Sequence, residues 1–179
     1  MNLPFADWLP LQRWYAGRGR ELDSATTVVV VPLRDDIDLV LLEARYRDGV
    51  VEHYQVIVGW DGEPIAEFAE LATIGSDGGR RAADALYDPA AVEYLLTLFD
   101  TSVQQGPVTF SREPEAVLPL GVKPHMVGAE QSNTSVFFEP EAILKIFRRV
   151  NPGVNPDIEL NRVLARAHNP NVARILGSY

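Results

Sequence analysis

The sequence predicts an α+β chain in two units: an antiparallel sheet with helices on one face over residues 1–88, and a smaller sheet-and-helix unit over residues 89–179. Three observations predict it. Strand-like runs at residues 26–33, 38–46 and 50–60 follow one another with only turn chemistry between them, Asp35-Asp36 and Asp48-Gly49, which reads as an antiparallel meander. Asp88-Pro89 then pairs an N-cap with a proline at the first helical position. Asn155-Pro156 repeats that signal ahead of an amphipathic helix, after two further strand-like runs.

With 179 residues and a 46% hydrophobic share, the chain can bury a core as one globular domain or two small ones. No apolar run reaches the roughly 18 residues of a membrane span, so no membrane partner is expected. Residues 1–10 carry Pro4 and Asp7 where a secretory signal has positive charge and a leucine-rich run, and cysteine is absent; both agree with a cytoplasmic protein. A net charge of −9 argues against general nucleic-acid binding, because phosphate affinity comes from Lys and Arg. The charge is uneven, with six Lys+Arg against two Asp+Glu in residues 145–179. Such a basic end suits a polyphosphate, and equally a solvated basic face.

In chain order, residues 3–15 read as a short helix loaded with large rings, Phe5, Trp8, Trp14 and Tyr15, which Pro10 bends or divides. These rings are expected to pack the terminal segment onto the sheet. In the run 50–60, His53, Gln55 and Gly59 alternate with Tyr54, Val56, Val58 and Trp60, which predicts one wet and one buried face. His53, His125 and His168 share no ligand spacing, so no metal site is assigned. Residues 75–79, Gly-Ser-Asp-Gly-Gly, read as a flexible connection, since no Lys-Ser/Thr follows them as in a phosphate cradle. Residues 81–87 look helical, and a second helix from Asp88-Pro89 to Asp100 places Val92, Leu95, Leu96 and Phe99 on its core stripe. Residues 108–110 and 117–120 read as short strands, and the polar segment 102–107 rivals Asp88-Pro89 as the unit boundary.

The chemistry concentrates between Gly128 and Ala167. Glu130-Gln131-Ser132-Asn133-Thr134-Ser135 reads as a polar turn whose hydroxyls, amide and backbone N–H groups can donate to phosphate oxygens; ordinary hairpin turns use the same residues. Strand-like residues 136–138 and 143–147 follow, and Lys145 stands among apolar neighbours, where an ammonium costs free energy without a counter-charge or a route to water. On the next helix Glu159 flanks an apolar stripe of Leu160, Val163, Leu164 and Ala167; it either turns inward to Lys145 or compensates the helix dipole. A strand lysine, a hydroxyl-rich turn before it and a helical glutamate after it are how protein-kinase-like folds hold the phosphates of ATP. Lys145 and Glu159 are therefore expected to converge beside the turn at 132–135. His168-Asn169-Pro170 reads as a helix exit before a strand at 172–176.

Four segments, Gln12-Arg13-Trp14-Tyr15-Ala16-Gly17-Arg18, Glu130-Gln131-Ser132-Asn133-Thr134-Ser135, Ile143-Leu144-Lys145 with Phe147-Arg148-Arg149, and Asn155-Pro156-Asp157-Ile158-Glu159-Leu160, resemble actinobacterial, mycobacterial-type maltokinases in the same order. The resemblance implies an N-terminal cap followed by the small N-lobe, or intermediate subdomain, of a protein-kinase-like fold of the aminoglycoside-phosphotransferase sort. It implies transfer of phosphate from ATP, with Mg2+, to maltose, giving maltose 1-phosphate for α-glucan and glycogen synthesis. By position it implies that Ser132, Asn133, Thr134 and Ser135 cover the phosphates, that Lys145 contacts the α- and β-phosphates, and that Glu159 orients Lys145. The catalytic loop, the metal-binding aspartate and the sugar pocket of such enzymes belong to a later lobe. No catalytic or metal residue is thus expected in this stretch, which alone is expected to be inactive, and maltose is a partner only of the full-length enzyme. The other reading is a non-enzymatic module docking a partner protein, for which the resemblance suggests trehalose synthase. An exposed apolar edge at residues 172–179 would favour self-association.

Overall fold

A computed structural model describes residues 1–126, 132–166 and 172–179. The N-terminal rings sit on a four-residue helix, α1 (Phe5–Trp8), and a 3-10 turn, Leu9–Leu11, in which Pro10 divides the segment as its missing N–H requires. Strands β1 (Leu22–Arg34), β2 (Ile37–Tyr46) and β3 (Val51–Trp60) pair antiparallel. At the second turn Asp48 accepts a hydrogen bond from the Val50 N–H, and Gly49 adopts a positive φ of 85°.

The meander continues through residues that the sequence assigns to a loop and a helix. After α2 (Ala69–Ala72), strands β4 (Thr73–Asp77) and β5 (Arg80–Asp84) form a hairpin, giving the sheet order β1-β2-β3-β5-β4. Gly78 and Gly79 both have positive φ, 58° and 82°, which is the backbone of a two-residue hairpin turn. The glycine run is thus a tight turn rather than a flexible connection. Residues 81–87 are strand plus one 3-10 turn, Ala85–Tyr87, because pairing with β3 and burial of Ala82 and Asp84 override the helix propensity of the alanines.

Both faces of the sheet are covered, which corrects the expectation of one wet face with helices on the other. Val40, Leu42 and Ala44 of β2 and Tyr54, Val56 and Val58 of β3 pack against Phe5, Trp8, Leu9, Trp14 and Tyr15. The alternate residues Ile37, Leu39 and Ile57 pack on the other face against α3 (Pro89–Thr101), through Val92, Leu95, Leu96 and Phe99. Asp88 caps this helix by accepting from the Ala90 N–H at 2.9 Å, as its sequence signal predicts. The second face is wet at its far end, where Arg45 and His53 lie 2.7 and 3.6 Å from the Glu43 carboxylate.

Beyond α3 the strands are short. A hairpin of β6 (Gln104–Gln105) and β7 (Val108–Thr109) leads to β8 (Ser111–Arg112), while residues 117–120 are not strand. Strands β9 (His125–Met126), β10 (Asn133–Phe138) and β11 (Ala142–Phe147) form a second antiparallel sheet. Immediately afterwards β12 (Arg149–Val150) crosses to the first sheet and pairs with β3. Helix α4 (Pro156–Arg166) follows, and β13 (Gly177–Ser178), not a strand at 172–176, pairs with β8. Leu176 and Tyr179 pack against the main core instead of forming an exposed edge; the Tyr179 ring stacks 5.2 Å from that of Phe110.

One buried carboxylate gives the first sheet a pH dependence. Tyr46 and Tyr54 donate to Glu52 Oε2 at 2.7 and 2.5 Å, and Arg149 lies 3.0 Å from Oε1. Burial pushes this carboxyl up, but the two phenol hydrogen bonds and the arginine charge outweigh it and leave the group below its ordinary value of 4.5. A depressed folded-state value stabilises the protein above the unfolded pKa and loses that contribution as pH falls through the folded one. The stability of Glu52→Gln, read from urea melts, is therefore expected to fall less than that of wild type on going from pH 6 to pH 3. Parallel acid limbs for the two proteins would show that Glu52 is not held ionised.

Candidate functional site

The hairpin of β10 and β11 presents two different faces. Its register places Ser135 opposite Lys145 and Phe137 opposite Ile143 on one, and Thr134 opposite Ile146 and Val136 opposite Leu144 on the other. The second face enters the main core through Val136, Phe138 and Ile146. The first is open at Lys145, whose side chain is 42% exposed. An ammonium that reaches water directly requires no buried partner. Among the described residues the carboxylate nearest to it is Asp157, Oδ2 to Nζ 3.6 Å, and the Phe147 ring centroid lies 5.2 Å from Nζ.

Lys145 therefore meets Asp157 where the sequence predicts Glu159, which is exposed two residues further along α4. Asn155 caps the helix as predicted, accepting from the Asp157 N–H at 2.9 Å, and this places Asp157 at the end nearest β11. The predicted buried stripe is also corrected, because Leu160 and Val163 are more than half exposed. Arg162 faces the protein in their stead, donating to Glu113 Oε1 and Ser178 Oγ, each at 2.7 Å.

Of the polar run, Glu130 and Gln131 lie outside the described residues, as do Gly128, Ala167, His168, Asn169 and Pro170. Ser132 is exposed at a bend. Asn133, Thr134 and Ser135 are buried strand residues rather than a turn, because register with residues 145–147 extends the hairpin through them. Thr134 points inward, and its Oγ1 accepts from Arg148 Nε at 2.7 Å.

Arg148 is the residue around which this region closes. It lies between β11 and β12, fully buried, with Nη2 2.5 Å from Oδ2 of the equally buried Asp84. Its guanidinium sits over the Trp14 ring, 4.8 Å from the centroid, and Nη1 has no hydrogen-bond partner among the described residues. The neighbouring Tyr87 phenol is pushed up to about 12, mainly by burial and then by the Asp84 charge. No motif in the sequence assigns a role to either end of this pair. The signals available were an arginine doublet ending an apolar strand and an aspartate ending a run that follows Gly78-Gly79.

Residues 8–88 match the family described as the maltokinase N-terminal cap domain. This portion of the chain is a maltokinase cap. The cap thus includes Trp14, Glu52, Gln55 and Asp84, while Lys145, Arg148, Arg149 and Asp157 lie beyond the matched residues. Among the described residues no group of three or more His, Cys, Asp or Glu side chains is arranged to hold a metal ion, and no helix is long and apolar enough to cross a membrane.

Proposed function

We propose that residues 1–179 are the N-terminal portion of an ATP-dependent maltose 1-kinase, in which the cap precedes a kinase-like small lobe that supplies the nucleotide-phosphate site. The cap match carries this reading, since residues 8–88 are similar to the N-terminal cap domain of maltokinases. The donor chemistry beyond it fits a polyphosphate: a half-exposed ammonium with a long ion pair, and the exposed Ser132 near the start of the partner strand. Lys145 would hold phosphate oxygens, with Asp157 rather than Glu159 as the carboxylate that orients it. Bound ATP with Mg2+ would supply the phosphoryl group, and transfer to maltose gives maltose 1-phosphate and ADP for α-glucan synthesis. No catalytic residue is assigned within these residues.

Isothermal titration of the 179-residue protein with Mg-ATP tests the reading. Lys145→Ala is expected to weaken ATP at least about tenfold, the worth of a charge-assisted hydrogen bond, and Asp157→Asn less. Equal affinity in wild type and Lys145→Ala would rule out Lys145 as a phosphate ligand.

A second reading has its own observation. On β1, which ends the sheet, Val28, Val29 and Val30 are 46%, 39% and 39% exposed, and no charge interrupts residues 25–33. An uncharged apolar edge of this kind accepts a strand from another protein, trehalose synthase being the partner the resemblance suggests. Val29→Lys is expected to abolish co-elution with trehalose synthase without changing ATP affinity; co-elution that survives it would exclude this edge.

A further inference from the structure

We infer that the first loop of the cap carries a binding site for a small phosphorylated sugar, separate from Lys145; the choice of that ligand class rests on reading the chain as part of a sugar kinase. Residues 8–20 hold three arginines, Arg13, Arg18 and Arg20, and no acid, in a chain whose net charge is −9. Two of the three meet at one cleft of about 360 Å3, lined by Pro10, Tyr15, Arg18, Arg20, Glu21 and Leu22. Small-molecule sites span roughly 300–1,000 Å3, so the cleft leaves room beside a phosphate for a sugar ring.

The loop keeps these groups in place. Gly17 lies so close to the hydroxyls of Tyr15 and Tyr46 that a Cβ there would collide with both, and the Arg20 N–H donates to the Gly17 carbonyl at 2.9 Å, closing the turn. Arg18 Nη2 donates to the Gln12 carbonyl at 2.9 Å, and Arg20 Nη1 pairs with Asp48. Each contact holds one corner of a guanidinium and leaves its remaining N–H donors for the forked recognition of a phosphate. Glu21 has its own cation in Arg47, 2.9 Å away, so the arginines around the cleft, Arg18, Arg20 and Arg47, outnumber the acids Glu21 and Asp48. Tyr15, on the cleft wall, is 4% exposed, and its hydroxyl has no hydrogen-bond partner among the described residues. Burial pushes that phenol above its ordinary value of 10, so it stays protonated and can donate to a ligand oxygen. Pro10 and Leu22 offer apolar contact to the C–H face of a sugar, and the Glu21 carboxylate can accept from its hydroxyls.

Isothermal titration of the 179-residue protein with α-D-glucose 1-phosphate tests the site, with inorganic phosphate as the control. Arg18→Gln and Arg20→Gln are each expected to weaken glucose 1-phosphate about tenfold, as loss of a charge-assisted hydrogen bond does, while Lys145→Ala leaves it unchanged. Gly19→Glu is the variant that keeps the fold, because a Cβ there meets nothing within 4 Å; its charge, between the two arginines in sequence, should weaken binding in the same direction. Inorganic phosphate should bind more weakly, since it leaves the apolar wall and Glu21 unused. No binding of glucose 1-phosphate, or an affinity that Arg20→Gln and Gly19→Glu both leave unchanged, overturns the inference. Inorganic phosphate binding as tightly as glucose 1-phosphate overturns the assignment to a phosphorylated sugar. If Lys145→Ala abolishes binding, the ligand sits at Lys145 and the cap site falls. Titration with Mg-ATP separates the two readings: a protein that takes glucose 1-phosphate through Arg18 and Arg20 but no ATP loses the nucleotide reading and keeps this site, and the reverse result removes this site alone.

Discussion

Asp84→Ala is expected to destabilise the protein by about 3–5 kcal/mol, because it leaves the buried Arg148 guanidinium without its counter-charge. For a chain of this size that is a fall in Tm on the order of 10 °C. It is also a large part of the roughly 5–15 kcal/mol that holds a typical domain together. The cost arises from the orphaned cation, not from loss of attraction as such. Replacing both partners, Asp84→Ala with Arg148→Met, should therefore recover much of the stability, since an apolar pair avoids the desolvation of two ions. Urea melts of the two single variants and the double variant measure this. A double variant as unstable as either single one would mean that packing around Arg148, rather than its charge, sets the cost. A loss below about 1 kcal/mol in Asp84→Ala would mean that the guanidinium escapes to water.

Trp14→Ala is expected to cost a similar amount, about 3–5 kcal/mol, for a different reason. The indole is fully buried between Trp8 and Tyr54, with ring centroids 5.8 and 6.0 Å away, and it also underlies Arg148. Truncation removes apolar area, opens a cavity in a region held by side chains from α1 and β3, and takes away the face on which the guanidinium rests. Trp14→Phe retains most of the volume and a π face, so its loss should stay under about 2 kcal/mol. If Trp14→Ala and Trp14→Phe are equally mild, the N-terminal segment is not part of the folded core.

Local signals in the sequence were faithful wherever one residue type answers one backbone need. Asp48-Gly49 makes its turn, Asp88-Pro89 and Asn155-Pro156 open their helices, and Pro10 divides the aromatic segment. They misled where two structures want the same residues. Alanines at 82 and 83 suit a helix but lie in β5, and Asn133, Thr134 and Ser135 suit a turn but continue a strand. The candidate site was legible as a neighbourhood: Lys145 on its strand, Ser135 beside it and an acid at the start of α4. Which acid was not legible, because residues 157 and 159 point about 200° apart on a helix and their choice depends on how α4 approaches β11. The Arg148–Asp84 pair joins positions 64 apart in sequence, and no periodicity connects them.

The chain's three tryptophans, Trp8, Trp14 and Trp60, all fall within the cap, and Trp14 alone lies beneath the guanidinium that joins the cap to the hairpin. The molecule consequently carries a built-in optical label. Emission excited at the indole band reports the cap without interference from the remaining residues, and a cation resting on one ring makes part of that emission sensitive to whether the hairpin is docked. Undocking with the cap intact would change intensity before the spectrum shifts to that of solvated indole, so the two events can be told apart in one cuvette without attaching any dye.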